Sequence, residues 1–328
     1  DPDRYFPEVF PMALDPQARA LLDMVYRVGA PRFHELDVHQ ARHSFEKLLF
    51  ALRPEAPPVA SVTEVPIPRA HARDGAILAR LYRPINSRAE EALPLTVYFH
   101  GGGWCVGNVA SYDVLGRQLA NLSGGAVLSV DYALAPEHPF PGAVVDAQRA
   151  VNWALANAAL LGIDPARFAL AGDSAGGTLS AVVAHQMRDA GANPARLQLL
   201  IYPCVEILSQ RPSRKAYSNG YFLDNESMAW FFDKYLPNAE DWSDWRASPL
   251  LAPSFAGLPP ATIITAGCDP LTDDCLAYAE ALQAAGVPVS VHGFDGMVHG
   301  FFTLGKFFAQ ANEAVARAGE ALRDALTR

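Results

Sequence analysis

The sequence has few of the features that mark several large classes of protein. It has four cysteines in 328 residues, and no two of them are spaced as Cys-x-x-Cys. This scarcity argues against a fold stabilised by disulfides. It also argues against a cysteine-ligated zinc site, because the usual ligand spacing is missing. We therefore expect reduced, largely buried thiols in a cytoplasmic protein, at Cys105, Cys204, Cys268 and Cys275.

Positive charge and long apolar runs are also scarce. The 26 Lys and Arg residues against 35 Asp and Glu give a formal net charge of −9, so neither nucleic acid nor an anionic membrane is an expected partner. No run approaches the roughly 18 apolar residues of a membrane span, and we expect no membrane insertion. Hydrophobic residues still make up 50% of the chain, which allows one large α/β domain, with or without an insertion.

The order of predicted elements indicates the architecture. Residues 1–55 look helical, with Asp15-Pro16 opening one helix. A predicted hairpin around Asp74-Gly75 follows, and apolar strands then alternate with helices, as in a mostly parallel doubly wound sheet. The alternation breaks at residues 203–249, where aromatic residues are concentrated. We expect this insertion and the N-terminal helices to form a lid over the carboxyl edge of the sheet.

The stretch FALAGDSAGGTLS, residues 168–180, combines a short apolar run, a glycine-rich turn and a helical pattern. Gly-x-Ser-x-Gly in this context is typical of a nucleophile elbow, with Ser174 as the nucleophile in a strained conformation. A Cβ at Gly172 or Gly176 would collide with the neighbouring strand or helix. The motif alone is weak, because a serine that caps a helix in a glycine-rich turn gives the same letters.

A second glycine motif strengthens the hypothesis. The letters HGGGW at residues 100–104 directly follow a predicted strand. Ligands bind at the carboxyl ends of strands in open α/β sheets, and glycines there leave backbone N–H groups free. A tetrahedral intermediate of acyl transfer needs such donors for its oxyanion. A simple glycine hinge would not explain the position at a strand end.

A serine nucleophile needs a base, and in this architecture the order along the chain is Ser, acid, His. Only His292 and His299 lie far enough along the chain. His292 falls inside a predicted strand, in the continuation of residues 287–291. His299 lies in a predicted loop at residues 296–300. We choose His299 because a loop histidine at a strand's carboxyl end can turn towards Ser174.

The acid is expected at Asp269, which directly follows a predicted strand. Asp273 and Asp274 are competitors, but they begin the next helix, where Asp serves as a cap or dipole partner. Asp269 could itself be only a helix start. Asp173, next to the nucleophile, is expected to make hydrogen bonds in the turn.

One group of residues suggests a metal site. Glu35, His39 and His43 could share one helix face. No fourth ligand is indicated, so a solvated polar face is the favoured interpretation, without a metal.

Taken together, the motifs resemble those of the bacterial hormone-sensitive-lipase family of α/β-hydrolase esterases. They are HGGGW at 100–104, DYALAPE at 131–137, GDSAGG at 172–177, DPL at 269–271 and HGF at 299–301. The resemblance covers nearly the whole chain, in family order. It implies an α/β-hydrolase fold with a mostly parallel eight-stranded sheet, flanking helices and a helical cap. One departure is Ala133, where the family usually has Arg, which puts a supporting contact in doubt.

The resemblance also implies site residues. The triad would be Ser174, Asp269 and His299, and the oxyanion hole would use the N–H groups of Gly102, Gly103 and Ala175. We expect substrate contacts from Trp104 and Phe222. The family acts without cofactors, and its members are often dimers, for which an exposed edge strand at residues 287–291 is the candidate seam. The predicted division is 1–55, first part of the cap; 56–202, first part of the core; 203–249, cap insertion; and 250–328, second part of the core.

The sequence thus predicts a serine carboxylesterase acting on short- to medium-chain acyl esters. Hydrolysis of amides, carbamates or lactones stays open, because the same triad serves all of them. A small-molecule receptor on this scaffold is the rival from another class, as in the plant gibberellin receptors. Those receptors resemble this family but have lost the triad histidine, whereas His299 is present here.

Overall fold

The computed structural model describes residues 13–71 and 75–327. Eight strands form one sheet in the order β1-β2-β4-β3-β5-β6-β7-β8. The pairs β1–β2 and β2–β4 are antiparallel and the other pairs are parallel. The expected mostly parallel eight-stranded sheet is therefore confirmed. The strands are β1 (Ser61–Pro68), β2 (Ala76–Arg83), β3 (Leu93–Phe99), β4 (Ala126–Asp131), β5 (Ile163–Asp173), β6 (Gln198–Ile201), β7 (Ala261–Cys268) and β8 (Val289–Val298).

Ten α-helices accompany the sheet in the described residues. Helix α3 packs on α10, and α4 packs on α6, so helices cover the central strands. Every residue of β3 and β7 is buried, as expected for strands inside a parallel sheet. The helices are α1 (Pro16–Arg27), α2 (Val38–Leu52), α3 (Asp113–Ser123), α4 (Gly142–Ala156), α5 (Ala158–Leu161), α6 (Ala175–Asp189), α7 (Pro212–Ala216), α8 (Asn225–Tyr235), α9 (Thr272–Ala284) and α10 (Ala309–Leu326).

Local sequence signals explain the first elements. Asp15 caps α1 by accepting a hydrogen bond from the Gln17 N–H, and Pro16 occupies the first helical position, as predicted. The predicted hairpin is the antiparallel pair β1–β2. Its predicted turn at Asp74 lies outside the described residues, whereas Gly75 is described and has a positive φ of 72°.

The last strand differs from its prediction. Strand β8 starts at Val289 and continues to Val298, so the loop predicted at residues 296–300 is wrong for its first three positions. The cause is pairing with β7, which continues through Gly293 and Phe294. The pairing is irregular after Phe294, but Val298 lies opposite Cys268 of β7, so the strand extends to the residue before His299. His299 therefore follows directly after the strand.

Two helical segments lie outside the alternating core pattern. Helices α1 and α2 precede the sheet, and α7 and α8 lie between β6 and β7, where the described residues contain no strand. The division at 1–55, 56–202, 203–249 and 250–328 stays a prediction. Within 13–71 and 75–327, no helix has both the length and the apolar character to cross a membrane.

The four cysteines are buried, as expected, and none of the four forms a disulfide. Burial raises the pKa of the Cys204 thiol to about 11 and that of Cys105 to about 12. These thiols therefore behave as apolar core groups and are not poised as nucleophiles.

Candidate active site

The predicted strand–turn–helix around Ser174 is present. Strand β5 ends at Asp173, and α6 begins at Ala175. Ser174 has φ 52° and ψ −118°, a sparsely populated region for a residue with a side chain. A Cβ at Gly176 would lie 1.9 Å from the Phe99 carbonyl oxygen, and one at Gly172 would lie 2.3 Å from the Gly176 oxygen. Only glycines allow the helix to approach the sheet this closely, so the elbow places Ser174 at the carboxyl edge.

Three side chains from separate strand ends meet at this edge. The Ser174 Oγ lies 2.9 Å from His299 Nε2, and His299 Nδ1 lies 2.7 Å from Asp269 Oδ2. The Leu271 N–H donates to the other oxygen of Asp269 at 2.9 Å. Asp269 is fully buried, so its carboxylate is held in one orientation. The structure thus brings together the three residues predicted for the triad.

The competing residues lie elsewhere. His292 stands within β8. Asp273 accepts a hydrogen bond from the Ser213 N–H at 2.8 Å. Asp274 receives the Arg214 guanidinium at 2.6 Å. Both carboxylates stand in the first turn of α9, as expected. Their partners come from α7, so the two carboxylates attach α7 to the core.

The glycine run lies beside Ser174. Gly102 has φ 119°, and a Cβ there would lie 2.2 Å from the Val106 oxygen. In the described part of the chain, the N–H groups of Gly102 and Gly103 have no acceptor. The Ala175 N–H stands at the first position of α6, where no intrahelical acceptor exists. Three free donors therefore accompany the nucleophile, with the positive end of a helix dipole.

Asp173 holds the glycine loop against the elbow. Its carboxylate accepts hydrogen bonds from the Tyr98 hydroxyl at 2.7 Å, the Tyr112 hydroxyl at 2.9 Å and the Gly101 N–H at 2.9 Å. Hydrogen bonding by Asp173 is confirmed, but the partners come from β3 and from residues before α3, not from the turn. Burial raises the pKa of Asp173, and these three donors oppose that effect.

A small apolar cavity of about 80 Å³ opens onto Ser174 and His299. Both predicted substrate contacts border it. Trp104 is 1% exposed and stacks on Tyr235 at 4.4 Å. The remaining walls come largely from α2, the insertion and the segment before α2. They include Phe33, Phe45, Leu49, Phe222, Leu223, Met228, Phe231 and Phe232.

Sequence reasoning missed three contacts at the site or directly behind it. The Tyr202 ring lies 4.6 Å from the His299 ring, and its place just after β6 was a usable signal. The Phe231 ring occupies the space that a Cβ at Gly103 would need. Arg42 of α2 donates to the Cys105 carbonyl at 2.9 Å. No pattern along the chain indicates the last two contacts, since they join residues far apart in sequence.

The metal hypothesis rested on a shared helix face that does not exist. Glu35 lies in a separate short turn, Phe33–Glu35, where it accepts a hydrogen bond from the Arg32 N–H. His39 and His43 belong to α2. Among the described residues, no three His, Cys, Asp or Glu side chains are grouped as a metal site.

Ala133, the position at which the family usually has Arg, lies beside a buried carboxylate that is already paired. The Ala133 N–H donates to the buried carboxylate of Asp146 at 3.0 Å. Arg69, which follows β1, forms a bidentate pair with the same carboxylate at 3.2 and 2.7 Å. A guanidinium from another part of the chain thus neutralises Asp146 beside Ala133.

Comparison with known proteins agrees with this geometry. A family model described as the α/β-hydrolase fold matches residues 96–303. An ethyl acetate hydrolase of Pseudomonas putida is 36% identical over 323 residues, covering 96% of this chain and 100% of the relative. The carboxylic ester hydrolase LipN of Mycobacterium tuberculosis is 42% identical over 278 residues, covering 81% and 71%. An α/β-hydrolase enzyme from the metagenome of Lake Arreo superposes with a TM-score of 0.92 at 39% identity, covering 96% and 99%.

The chain belongs to the α/β-hydrolase fold family, and the predicted resemblance to bacterial hormone-sensitive-lipase esterases is confirmed. The predicted class of enzyme, a carboxylic ester hydrolase, is confirmed by the same relatives.

Proposed function

We propose that this chain hydrolyses short- to medium-chain acyl esters through an acyl-enzyme on Ser174. The observation that carries the proposal is the continuous contact from Asp269 through His299 to the Ser174 hydroxyl. Beside it lie the N–H groups of Gly102 and Gly103, which have no acceptor in the described part of the chain. Such a hydroxyl can lose its proton as it attacks, and the donors can stabilise the charge that develops.

The proposed reaction has two steps. His299 Nε2 accepts the Ser174 proton while Oγ attacks the ester carbonyl, and the N–H groups of Gly102, Gly103 and Ala175 bind the oxyanion. His299 then protonates the leaving alcohol. In the second step His299 takes a proton from water, which attacks the acyl-enzyme, and returns that proton to Ser174 Oγ as the acid leaves. Asp269 keeps the His299 proton on Nδ1, so that Nε2 can accept.

Replacing the nucleophile tests this mechanism. Ser174→Ala is expected to lower kcat for nitrophenyl acetate by roughly 10⁶-fold and to abolish rapid labelling by a fluorophosphonate. Ser180→Ala is the matched control, because this buried hydroxyl in α6 donates to the Gly176 carbonyl and does not line the cavity. Wild-type turnover by Ser174→Ala would refute the proposed nucleophile.

The small cavity supports short acyl chains. Each methylene buried against its apolar walls contributes about 0.8 kcal/mol, so kcat/KM should rise about fourfold per carbon until the cavity is full and then fall. We expect the maximum below about ten carbons, since little apolar surface remains to bury beyond that. A nitrophenyl ester series measures this. Phe45→Ala, at the α2 wall, should move the maximum to longer chains. A maximum on long-chain triglyceride emulsions would contradict the assignment.

Amides, carbamates and lactones share the same chemistry, and a panel of these substrates beside esters would rank them. A receptor function is disfavoured because a receptor needs no base in contact with the serine hydroxyl. Fluorophosphonate titration separates the two, since only an activated serine is labelled rapidly.

The assembly and surroundings of the site are further proposals. We infer that the α1–α2 segment and the insertion together form a cap, because both contribute cavity walls.

Strand β8 is an edge of the sheet, and Val291 on it is 39% exposed, so a homodimer through this edge is expected. Gel filtration at micromolar concentration tests it. Buried reduced thiols are compatible with a cytoplasmic location.

A further inference from the structure

His100 is a fully buried histidine with no part in the proposed proton transfers. Its Nδ1 lies 2.8 Å from the Gly101 carbonyl oxygen, and its buried Nε2 has no hydrogen-bond partner among the residues that the structure describes. The ring stacks on Tyr132 at 4.4 Å, and an oxygen of Asp131 lies 3.8 Å from Nε2. A buried imidazole that makes one hydrogen bond, and makes it to the glycine run, needs an explanation.

The contact with Gly101 defines the tautomer of His100. A carbonyl oxygen can only accept, so Nδ1 carries the hydrogen. Burial lowers the pKa of His100, which favours the neutral ring with a lone pair on Nε2. The ring is thus a fixed donor to one peptide group of the glycine run.

That peptide group is the one that contains the Gly102 N–H. In a trans peptide the C=O and N–H bonds point in opposite directions. The Gly101 C=O points towards His100, so the Gly102 N–H points away from His100. Gly102 lines the cavity beside Ser174, whereas His100 does not. The hydrogen bond therefore directs the Gly102 N–H towards the cavity.

The neighbouring peptide groups have their own anchors. The His100 carbonyl accepts from the Tyr132 hydroxyl at 2.7 Å, and the Gly101 N–H donates to Asp173. The Gly102 carbonyl accepts from the N–H groups of Cys105 and Val106, each at 3.0 Å. The Gly101 carbonyl depends on the imidazole alone among these contacts. Because it joins two glycines, this peptide can rotate at low cost if the imidazole hydrogen bond is lost.

We propose that His100 is a positioning residue that orients the Gly102 N–H as an oxyanion donor through its Nδ1–H. This inference rests on the proposed function, because it assigns the orientation of a donor in that mechanism. It predicts that the position of the donated hydrogen matters, and not only the size or polarity of the side chain.

Three substitutions separate these contributions. In His100→Asn the amide nitrogen takes nearly the place of Nδ1 and keeps a donor for the Gly101 carbonyl. In His100→Gln the amide nitrogen reaches nearly the place of Nε2, on the wrong side. His100→Phe keeps the stacking on Tyr132 and removes the donor. His185→Phe is the control, because His185 is equally buried but contacts Tyr278 and not the glycine run.

The readouts are kcat, KM and the inhibition constant of a trifluoromethyl ketone, whose adduct with Ser174 carries the oxyanion. His100→Phe and His100→Gln are expected to lower kcat by about 10²-fold and to weaken the inhibitor similarly, with KM little changed, because a single oxyanion donor is worth that much. His100→Asn should recover most of the loss. His185→Phe should lower the melting temperature without this change in kcat.

The outcomes distinguish the inference from the proposed function. If Ser174→Ala keeps wild-type activity, the mechanism itself fails. If Ser174 is essential but His100→Asn and His100→Gln lose kcat equally, or neither loses any, only the inference on His100 is overturned. If His100→Phe does not fold, the comparison of Asn with Gln still decides, since circular dichroism and the melting temperature report whether both are folded.

Discussion

At the scale of single residues, the carboxylate of Asp269 fixes the tautomer of His299. It accepts the Nδ1–H of His299 and leaves Nε2 free for Ser174. Asp269→Asn places an amide donor there and stabilises the opposite tautomer, so kcat should fall by about 10⁴-fold with the fold intact. Steady-state kinetics measure it.

Asp273, at the start of α9, provides the matched control for the Asp269→Asn variant. Asp273→Asn alters the contact with the Ser213 N–H in the first turn of α9 and should leave kcat near that of the wild type. An equal loss in both variants would mean that Asp269 acts through the stability of this segment and not through His299.

Residues whose neighbours along the chain carry the signal could be predicted. Ser174 is flanked by glycines at the positions where a Cβ would touch Phe99 or Gly176, and that requirement is visible in the letters. The partners of Asp173 could not be predicted, because Tyr98 is 75 positions away. A contact of this kind depends on the register between strands, which no local pattern encodes.

At the scale of elements, composition predicted which segments form strands but not where the last one ends. Strand β8 continues through Gly293 to Val298 because β7 supplies a hydrogen-bonding partner. Central β3 was easier, since both of its faces are buried and its letters are apolar throughout. Edge strands are the harder case, because their backbone pairing, rather than their side chains, sets their length.

One side chain of helix α2, Arg42, bonds to the loops that follow β3 and β4, and a further prediction concerns this contact. Arg42 donates to the carbonyls of Cys105 and Ala135 at 2.9 and 3.1 Å and forms a bidentate pair with Glu137. Hydrogen bonding from Arg42 lowers the pKa of Glu137 to about 2, but Glu137 is 47% exposed in its side chain.

The two parts of this contact should differ in energy. An exposed ion pair contributes less than about 1 kcal/mol, so Glu137→Gln should change the free energy of unfolding little. Arg42→Met also removes two charged donors from backbone carbonyls and should cost about 2 kcal/mol. Urea denaturation compares them. Equal losses would assign the stabilisation to the ion pair.

At the scale of the whole molecule, the order of elements along the chain was sufficient to predict a mostly parallel sheet with flanking helices. Strands alternating with helices leave few topologies open, because parallel connections follow one hand. The aromatic insertion was visible for the same reason, as a break in that alternation. How its rings pack was not predictable: Phe231 lies against Gly103, and such a fit depends on the shapes of both surfaces.

Acid stability is a property of the whole fold that one buried histidine should influence measurably. His185 is 1% exposed, among Tyr278, Trp245 and Phe255. Burial lowers its pKa from 6.5 to about 4, with Arg188 as a further cause. Between these two values the unfolded chain binds a proton that the folded chain does not. The free energy of unfolding must therefore decrease as the pH falls through this window.

The decrease from this group amounts to about 3 kcal/mol at 1.36 kcal/mol per pKa unit, a large part of a typical stability. His185→Gln should be less stable than the wild type near pH 7.5 but should lose less stability on going to pH 4.5. Urea denaturation at intervals of pH measures both slopes, and His43→Gln, at an exposed position of α2, provides the background. Parallel curves for the wild type and His185→Gln would contradict the assignment, because the acid sensitivity would then come from carboxylates whose hydrogen bonds are lost on protonation.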